Sequence, residues 1–231
     1  MKILKRIFRL LFKIFLWFFI LSIGFTVLYR FLPVPITPLM VIRLYEQLND
    51  EKKELRLNKD WVSIKKISKH VPQAVVASED QKFLNHYGFD WEAMEKAWEN
   101  NKKGKRVKGA STISQQTAKN VFLWPARNIF RKGLEAYFTV LIELFWSKER
   151  IMEVYLNVIE MGEGIYGIEA ASQSYFKKSA EKLSRNEAAL IAAVLPNPRR
   201  WSPARPTPYI QGRQSWILRQ MNNLAPVGMG V

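Results

Sequence analysis

The sequence predicts an all-α protein, one membrane-spanning helix followed by one helical domain. Three observations predict it. Residues 14–29, IFLWFFILSIGFTVLY, carry no charge. From Val71 onward, apolar residues recur at helical offsets, and capping residues precede successive runs. No alternating pattern of strand type covers a large part of the chain, and no internal repeat is visible. The 231 residues, 48% of them hydrophobic, suffice for a real core.

Composition narrows the function classes. There are no cysteines, which excludes a disulfide framework and any thiolate metal site. The two histidines, His70 and His86, lie far apart, which argues against a dedicated zinc site; carboxylates remain able to hold a hard cation. The formal net charge is +16, and seven basic residues precede the first acid, Glu46. The chain after that point still carries 29 basic against 20 acidic residues. Both parts favour an anionic partner, either nucleic acid or phospholipid headgroups.

The N-terminus chooses between them. From Leu10 to Leu32 the segment reaches the ~20 residues that cross a bilayer. Lys2, Lys5, Arg6, Arg9 and Lys13 precede it or sit at its edge, so the positive-inside rule leaves the N-terminus in the cytoplasm. Trp17 and Tyr29 suit the two interfaces. The alternative is a cleaved signal peptide, but the apolar run is longer than its usual core, and no small-x-small cleavage site follows. The expected layout is a basic cytoplasmic tail over 1–13, an anchor over 14–32, a membrane-proximal linker over 33–70 and a helical domain over 71–231. A tethered domain facing away from the cytoplasm meets lipid headgroups or a phosphorylated lipid rather than nucleic acid.

The elements follow in order. FLPVPITPLM (31–40), with three prolines, predicts a stiff extended exit from the membrane. Residues 41–61 fit a short helix or a hairpin. VPQAVVASEDQKFLN predicts a helix opening on Pro72. Asp90 caps WEAMEKAWEN. NKKGKRVKGAS (101–111) predicts a mobile loop, and Ser111 a cap for STISQQTAKNVFL. RNIFRKGLEAYFTVLIELFW is apolar on most sides and predicts a central buried helix. Ser147 caps SKERIMEVYLNVI. Gly162, Gly164 and Gly167 break the pattern before IEAASQSYF. Ser184 and Glu187 stand at capping-box spacing. A proline-rich coil and a last helix, QGRQSWILRQMNNL, complete the domain.

Five stretches, in order, carry a resemblance. They are EDQKFLNHYG (79–88), GASTISQQTAKN (109–120), RKGLE (131–135), KERIMEVYLNVIEMG (148–162) with GIYGIEAASQSYF (164–176), and EAALIAAVLPNPRRWSP (187–203). Together they resemble the monofunctional peptidoglycan glycosyltransferases, relatives of the glycosyltransferase module of bifunctional penicillin-binding proteins. No motif residue is replaced. No SxxK followed by a KTG box, the mark of a transpeptidase, is present. The resemblance implies a lysozyme-like, two-lobed domain with a cleft between the lobes. It makes region 101–130 a flexible flap over that cleft.

The same resemblance implies a reaction and roles. Lipid II is polymerised through β-1,4 bonds with release of undecaprenyl diphosphate. The α-linked donor becomes a β bond, so a single inverting displacement suffices. Glu79 is implied as the general base on the acceptor hydroxyl. Glu135 is the second catalytic carboxylate, positioning the diphosphate directly or through a divalent cation, magnesium or manganese. Arg131 and Lys132, four and three residues before Glu135, share its helix face and suit a phosphate. Ser111, Thr112, Gln115, Gln116, Lys119, Asn120 and Lys148 are implied substrate contacts. Asp80, Phe83, His86, Gly88, Glu153, Tyr155 and Asn157 support the site. The implied location is the inner membrane, single-pass, with the domain on the periplasmic side. Partners are lipid II, the lipid-linked glycan, membrane lipids and proteins of cell-wall synthesis or division. Two competing readings remain at this point: a membrane-bound lytic glycosidase, which needs a protonated acid but no cationic cluster, and a non-enzymatic division scaffold.

Overall fold

The computed structural model describes residues 2–50, 54–102, 111–126 and 128–229. It is mostly helical. The first helix, α1, runs Lys2–Phe31. Its stretch Ile3–Phe31 is long and apolar enough to cross a membrane, and nearly all of its large apolar side chains are exposed. The basic residues from Lys5 to Lys13 lie within this helix rather than before it.

The C-terminal half of α1 is fastened to the rest of the chain. Ser22 Oγ shares a 2.7 Å hydrogen bond with Tyr137 Oη. Trp146 Nε1 donates to the Thr26 carbonyl at 2.7 Å. The last carbonyls of a helix have no partner inside it. Here the Arg150 guanidinium supplies one, donating to the carbonyls of Tyr29 (2.8 Å) and Leu32 (2.5 Å). Its charge also suits the negative end of the helix dipole. Arg150 is in turn paired with Glu153 at 2.6 Å, and Glu153 accepts from the Ile64 amide.

The open reading of 41–61 resolves into a helix and a short strand. Thr37 accepts from the Met40 amide, and Pro38 opens α2 (Pro38–Leu48) with a preset φ. Strand β1 (Asn58–Lys59) pairs in parallel with β3 (Ile165–Tyr166), and β3 pairs antiparallel with β2 (Glu160–Gly162). Glu160 lies opposite Tyr166. This three-stranded sheet is small, too short to leave an alternating pattern in the sequence.

Helix α3 runs His70–Glu79 and stops there. The expected continuation to Asn85 is not formed. Asp80 leaves helical geometry (φ −161°, ψ 80°) because its carboxylate is drawn to the Ile113 amide and to His86. A 3-10 turn, Phe83–Asn85, leads to α4 (Trp91–Lys102), where Asp90 accepts from the Ala93 amide as expected. Residues 103–110 of the expected loop and flap, and Arg127, lie outside the described residues.

Helix α5 (Ile113–Phe122) is capped by Thr112, not Ser111, through a full capping box with Gln115. Helix α6 (Ile129–Phe145) is not a central buried helix. Its Phe138, Leu141 and Ile142 face inward, while Ile129, Phe130, Val140 and Leu144 are exposed. Its apolar character serves two neighbours: α5 on one side, and α1 on another, where Phe18 meets Tyr137 and Phe138. The central helix is α7 (Lys148–Val158), with Ile151, Met152, Val154, Leu156 and Val158 fully enclosed and Ser147 as its cap.

Gly167, at φ 81°, lets the chain leave β3 against α7: a Cβ there would stand 2.7 Å from the Asn157 carbonyl. Helices α8 (Ile168–Phe176), α9 (Arg185–Val194) and α10 (Pro208–Asn223) follow. Ser184 and Glu187 form the expected capping box. The alanines of α9 let α3 and α10 pack closely on it. Two helical groups result, α3–α9–α10 and α5–α6–α7, in keeping with a lysozyme-like domain.

Candidate active site

A cleft of about 490 Å³ opens along α5. Its walls come from α2 (Leu39, Arg43), α5 (Gln116, Lys119, Asn120), Arg131 of α6, Tyr155 of α7, Glu160 of β2, and the prolines after α9. Sequence-distant motifs thus meet around one space.

Glu79 stands one hydrogen bond behind this cleft. The end of α3 at this residue leaves its carboxylate half-buried. Oε1 accepts from Ser78 Oγ (3.0 Å), and Oε2 accepts from Gln116 Nε2 (3.1 Å). Gln116 Oε1 accepts from Tyr155 Oη at 3.2 Å, which fixes the orientation of the amide. Burial, with Glu79 and Asp80 nearby, pushes the Tyr155 phenol well above its ordinary range. The phenol therefore stays protonated and remains a donor.

The second carboxylate is held between two cations. Glu135 is buried, and Arg131 Nη1 reaches its Oε2 at 2.5 Å. Lys132 pairs with Oε1 and also approaches Ser111 Oγ at 3.5 Å. The i, i+3 and i, i+4 spacing of α6 makes this geometry available. Lys119 adds a third cation to the cleft wall. Burial pushes the Lys119 ammonium below its ordinary range; Arg131 and Lys132 add to that shift, and Glu135 and Glu79 oppose it. Lys119 therefore lies within electrostatic reach of both carboxylates. Three cations against one paired carboxylate leave this end of the cleft positive.

The residues expected to contact substrate divide. Gln116, Lys119, Asn120 and Arg131 line the cleft; Lys132 adjoins Glu135, and Ser111 adjoins Lys132. Thr112 and Gln115 do not line it. Both are 2% exposed and committed to the cap of α5, with Thr112 Oγ1 also donating to the Gly88 carbonyl (2.7 Å). Lys148 is also spent elsewhere: it pairs with Glu143 at 2.7 Å and lies over the Phe83 ring.

Asp80, His86 and Gly88 sit together where α3 meets the start of α5. Asp80 accepts from His86 Nε2 and from the Ile113 amide, tying the turn after α3 to the start of α5. Gly88 has φ 85°, and a Cβ there would come within 2.6 Å of Thr139 Cγ2. Asn157 clamps Val62 from both sides, donating to its carbonyl and accepting from its amide.

Sequence reasoning missed three groups. Glu143 joins Ser114 and Lys148; its signal was a lone acid inside the apolar run LIELFW, which burial obliges to find partners. Arg43 and Glu160 lie 3.7 Å apart on the cleft wall. Burial pushes the Glu160 carboxyl above the usual range, against the pull of Arg43 and Arg199.

The donor set does not fit a hard cation on Glu135. Both of its oxygens are taken by Arg131 and Lys132. Among the described residues no group of three Asp, Glu or His side chains could hold a metal ion.

A family profile described as Transglycosylase matches residues 46–222. A relative from Bdellovibrio bacteriovorus, named biosynthetic peptidoglycan transglycosylase, is 59% identical over 93% of this chain and 84% of its own length. Relatives of the same name from Bacteroides thetaiotaomicron and Pseudomonas fluorescens are 56% and 49% identical, over 95% and 96% of this chain and 88% and 92% of their own lengths.

Proposed function

The chain belongs to the transglycosylase family, as a peptidoglycan transglycosylase, and from that premise we propose that it builds glycan strands from lipid II. Its N-terminal helix holds it in the bacterial inner membrane as a single pass, with the cleft on the periplasmic side. There both lipid-linked substrates can reach the site without leaving the bilayer.

The reaction is one inverting displacement. Glu79 takes the proton of the acceptor hydroxyl as that oxygen attacks the anomeric carbon of the donor. The bond to the diphosphate breaks, and undecaprenyl diphosphate carries away the negative charge. Lys119, Arg131 and Lys132 stabilise that charge as it develops. Glu135 aligns Arg131 and Lys132, so that they meet the phosphate already oriented. The fixed cations do the work that a metal would otherwise do.

The observation that carries this reading is the shared cleft. Gln116, which holds the Glu79 carboxylate, lines one space together with the cations Lys119 and Arg131. A glycosidase has no use for that cluster. The test is turnover of purified lipid II by the full chain. Glu79→Gln is expected to lower kcat by about 100-fold or more, with an unchanged circular dichroism spectrum. Full activity of that variant would defeat the assignment of Glu79. Wild-type turnover is expected to persist in a chelator.

A further inference from the structure

The part of the cleft lining formed by Arg43 and Glu160 is built differently from the cationic part formed by Lys119 and Arg131. Glu160 opens β2, and its side chain is only 11% exposed. Arg43 Nε stands 3.7 Å from Oε2, and Arg199 Nε stands 4.0 Å from Oε1. Both gaps exceed hydrogen-bond length. Each arginine is instead held on its outer side: Arg43 by Glu46 at 2.6 Å, and Arg199 by Glu163 at 3.5 Å. Glu160 Oε1, Arg43 Nε and the hydroxyl of the opposing Tyr166 are buried without a hydrogen-bond partner. Buried polar groups in native proteins are nearly always paired, so three orphans at one place call for an explanation.

The chemistry of the orphans selects what would pair them. Glu160 Oε1 needs a donor, and Arg43 Nε–H needs an acceptor. An anion would meet Glu160, and a cation would meet Arg43 and Arg199. A neutral group that both donates and accepts meets neither penalty. A sugar hydroxyl and an acetamido group are of this kind.

We propose that Arg43 and Glu160 form a specificity subsite that hydrogen-bonds a neutral hydroxyl or acetamido group of the glycan. The inference rests on the glycan-polymerising reading above. It gives the cleft a direction: charged diphosphate towards Lys119 and Arg131, neutral sugar substituents towards Arg43 and Glu160.

The test is steady-state turnover of lipid II by the full-length protein in detergent. Glu160→Leu and Arg43→Met are each expected to raise KM about tenfold, the cost of one charge-assisted hydrogen bond, while kcat and the circular dichroism spectrum hold near wild type. Glu160→Gln keeps an acceptor and is expected to restore most of the affinity. A merely structural role would not give this split or this rescue. The pairing group is read from competition by tri-N-acetylchitotriose and its fully deacetylated form. Competition by the acetylated sugar alone assigns the acetamido group, and competition by both assigns a hydroxyl. Competition by neither, or by the amine alone, overturns the proposal. So does wild-type KM in both Glu160→Leu and Arg43→Met. Failure of the wild-type protein to turn over lipid II would instead overturn the functional reading, and the subsite with it.

Discussion

At the scale of single residues, the site is a set of side chains that hold one another. Glu79 is oriented by Ser78 and Gln116, and Gln116 by Tyr155. Tyr155→Phe removes one donor and leaves the packing intact. A single hydrogen bond is worth about 0.5–1.5 kcal/mol, so kcat is expected to fall roughly three- to tenfold, with an unaltered circular dichroism spectrum. Glu160 gives a pH-dependent expectation. Its carboxyl is raised above its unfolded value by burial, so its charged form costs stability. That cost is full above the folded-state pKa, declines as pH falls through it, and vanishes below the unfolded value of about 4.3. Glu160→Gln is therefore expected to raise the thermal midpoint at pH 8, and the gain should shrink towards zero at pH 4. An equal gain at both pH values would show that burial of the charge is not its cause.

Residue types were the most legible part of the sequence. The pairing of Arg131 and Lys132 with Glu135 follows from helix spacing alone. Asp80 and His86 were legible as supports. The split between Gln115 and Gln116 was not. Adjacent residues of one polar run differ by about 100° around the helix, and only the cap at Thr112 decides which of them faces inward. Arg43 and Glu160 were illegible for another reason: 117 positions separate them, and neither stands in a pattern that names the other.

At the scale of elements, capping signals read from the sequence located Asp90, Ser147 and Ser184 correctly. The misplaced end of α3 shows what such signals omit. Nothing within VASEDQ stops a helix; the stop comes from Ile113, whose amide claims Asp80. The α6 reading failed similarly, because an all-round apolar helix suits a buried core or an apolar surround equally well. Arg150 is the clearest element-level test. It joins α7 to the end of α1 through two carbonyls. Arg150→Ala leaves those carbonyls unpaired and Glu153 without its cation. Hydrogen bonds to charged groups contribute about 1.5–3 kcal/mol each. The thermal midpoint in detergent is expected to fall by several degrees, and an unchanged midpoint would show that α1 is not held there.

At the scale of the whole molecule, α1 is part of the folded unit. Tyr137, Trp146, Arg150 and Lys59 all reach it or the segment that follows it. Phe18 and Phe19 pack on Tyr137. A variant lacking residues 1–31 would bare the α6 surface that Phe18 and Phe19 cover, strand the Trp146 donor and remove the Tyr29 carbonyl from Arg150. It is expected to melt lower than the full chain and to self-associate when detergent is removed, as read by calorimetry and size-exclusion chromatography. A monodisperse truncation with the full chain's midpoint would make α1 a dispensable leash.

The fastening of α1 at Ser22, Thr26, Tyr29 and Leu32 has a mechanical corollary. With α1 seated in a bilayer as proposed, those contacts set a fixed elevation of the cleft above the lipid, as a keel sets the draught of a hull. Chain length between anchor and domain does not set it. Spacer residues inserted after Leu32 would buckle outward without lifting the cleft. Hydrocarbon thickness becomes the tuning variable: in a bilayer too thick for α1 the whole body tilts or sinks, and substrate entry changes with it.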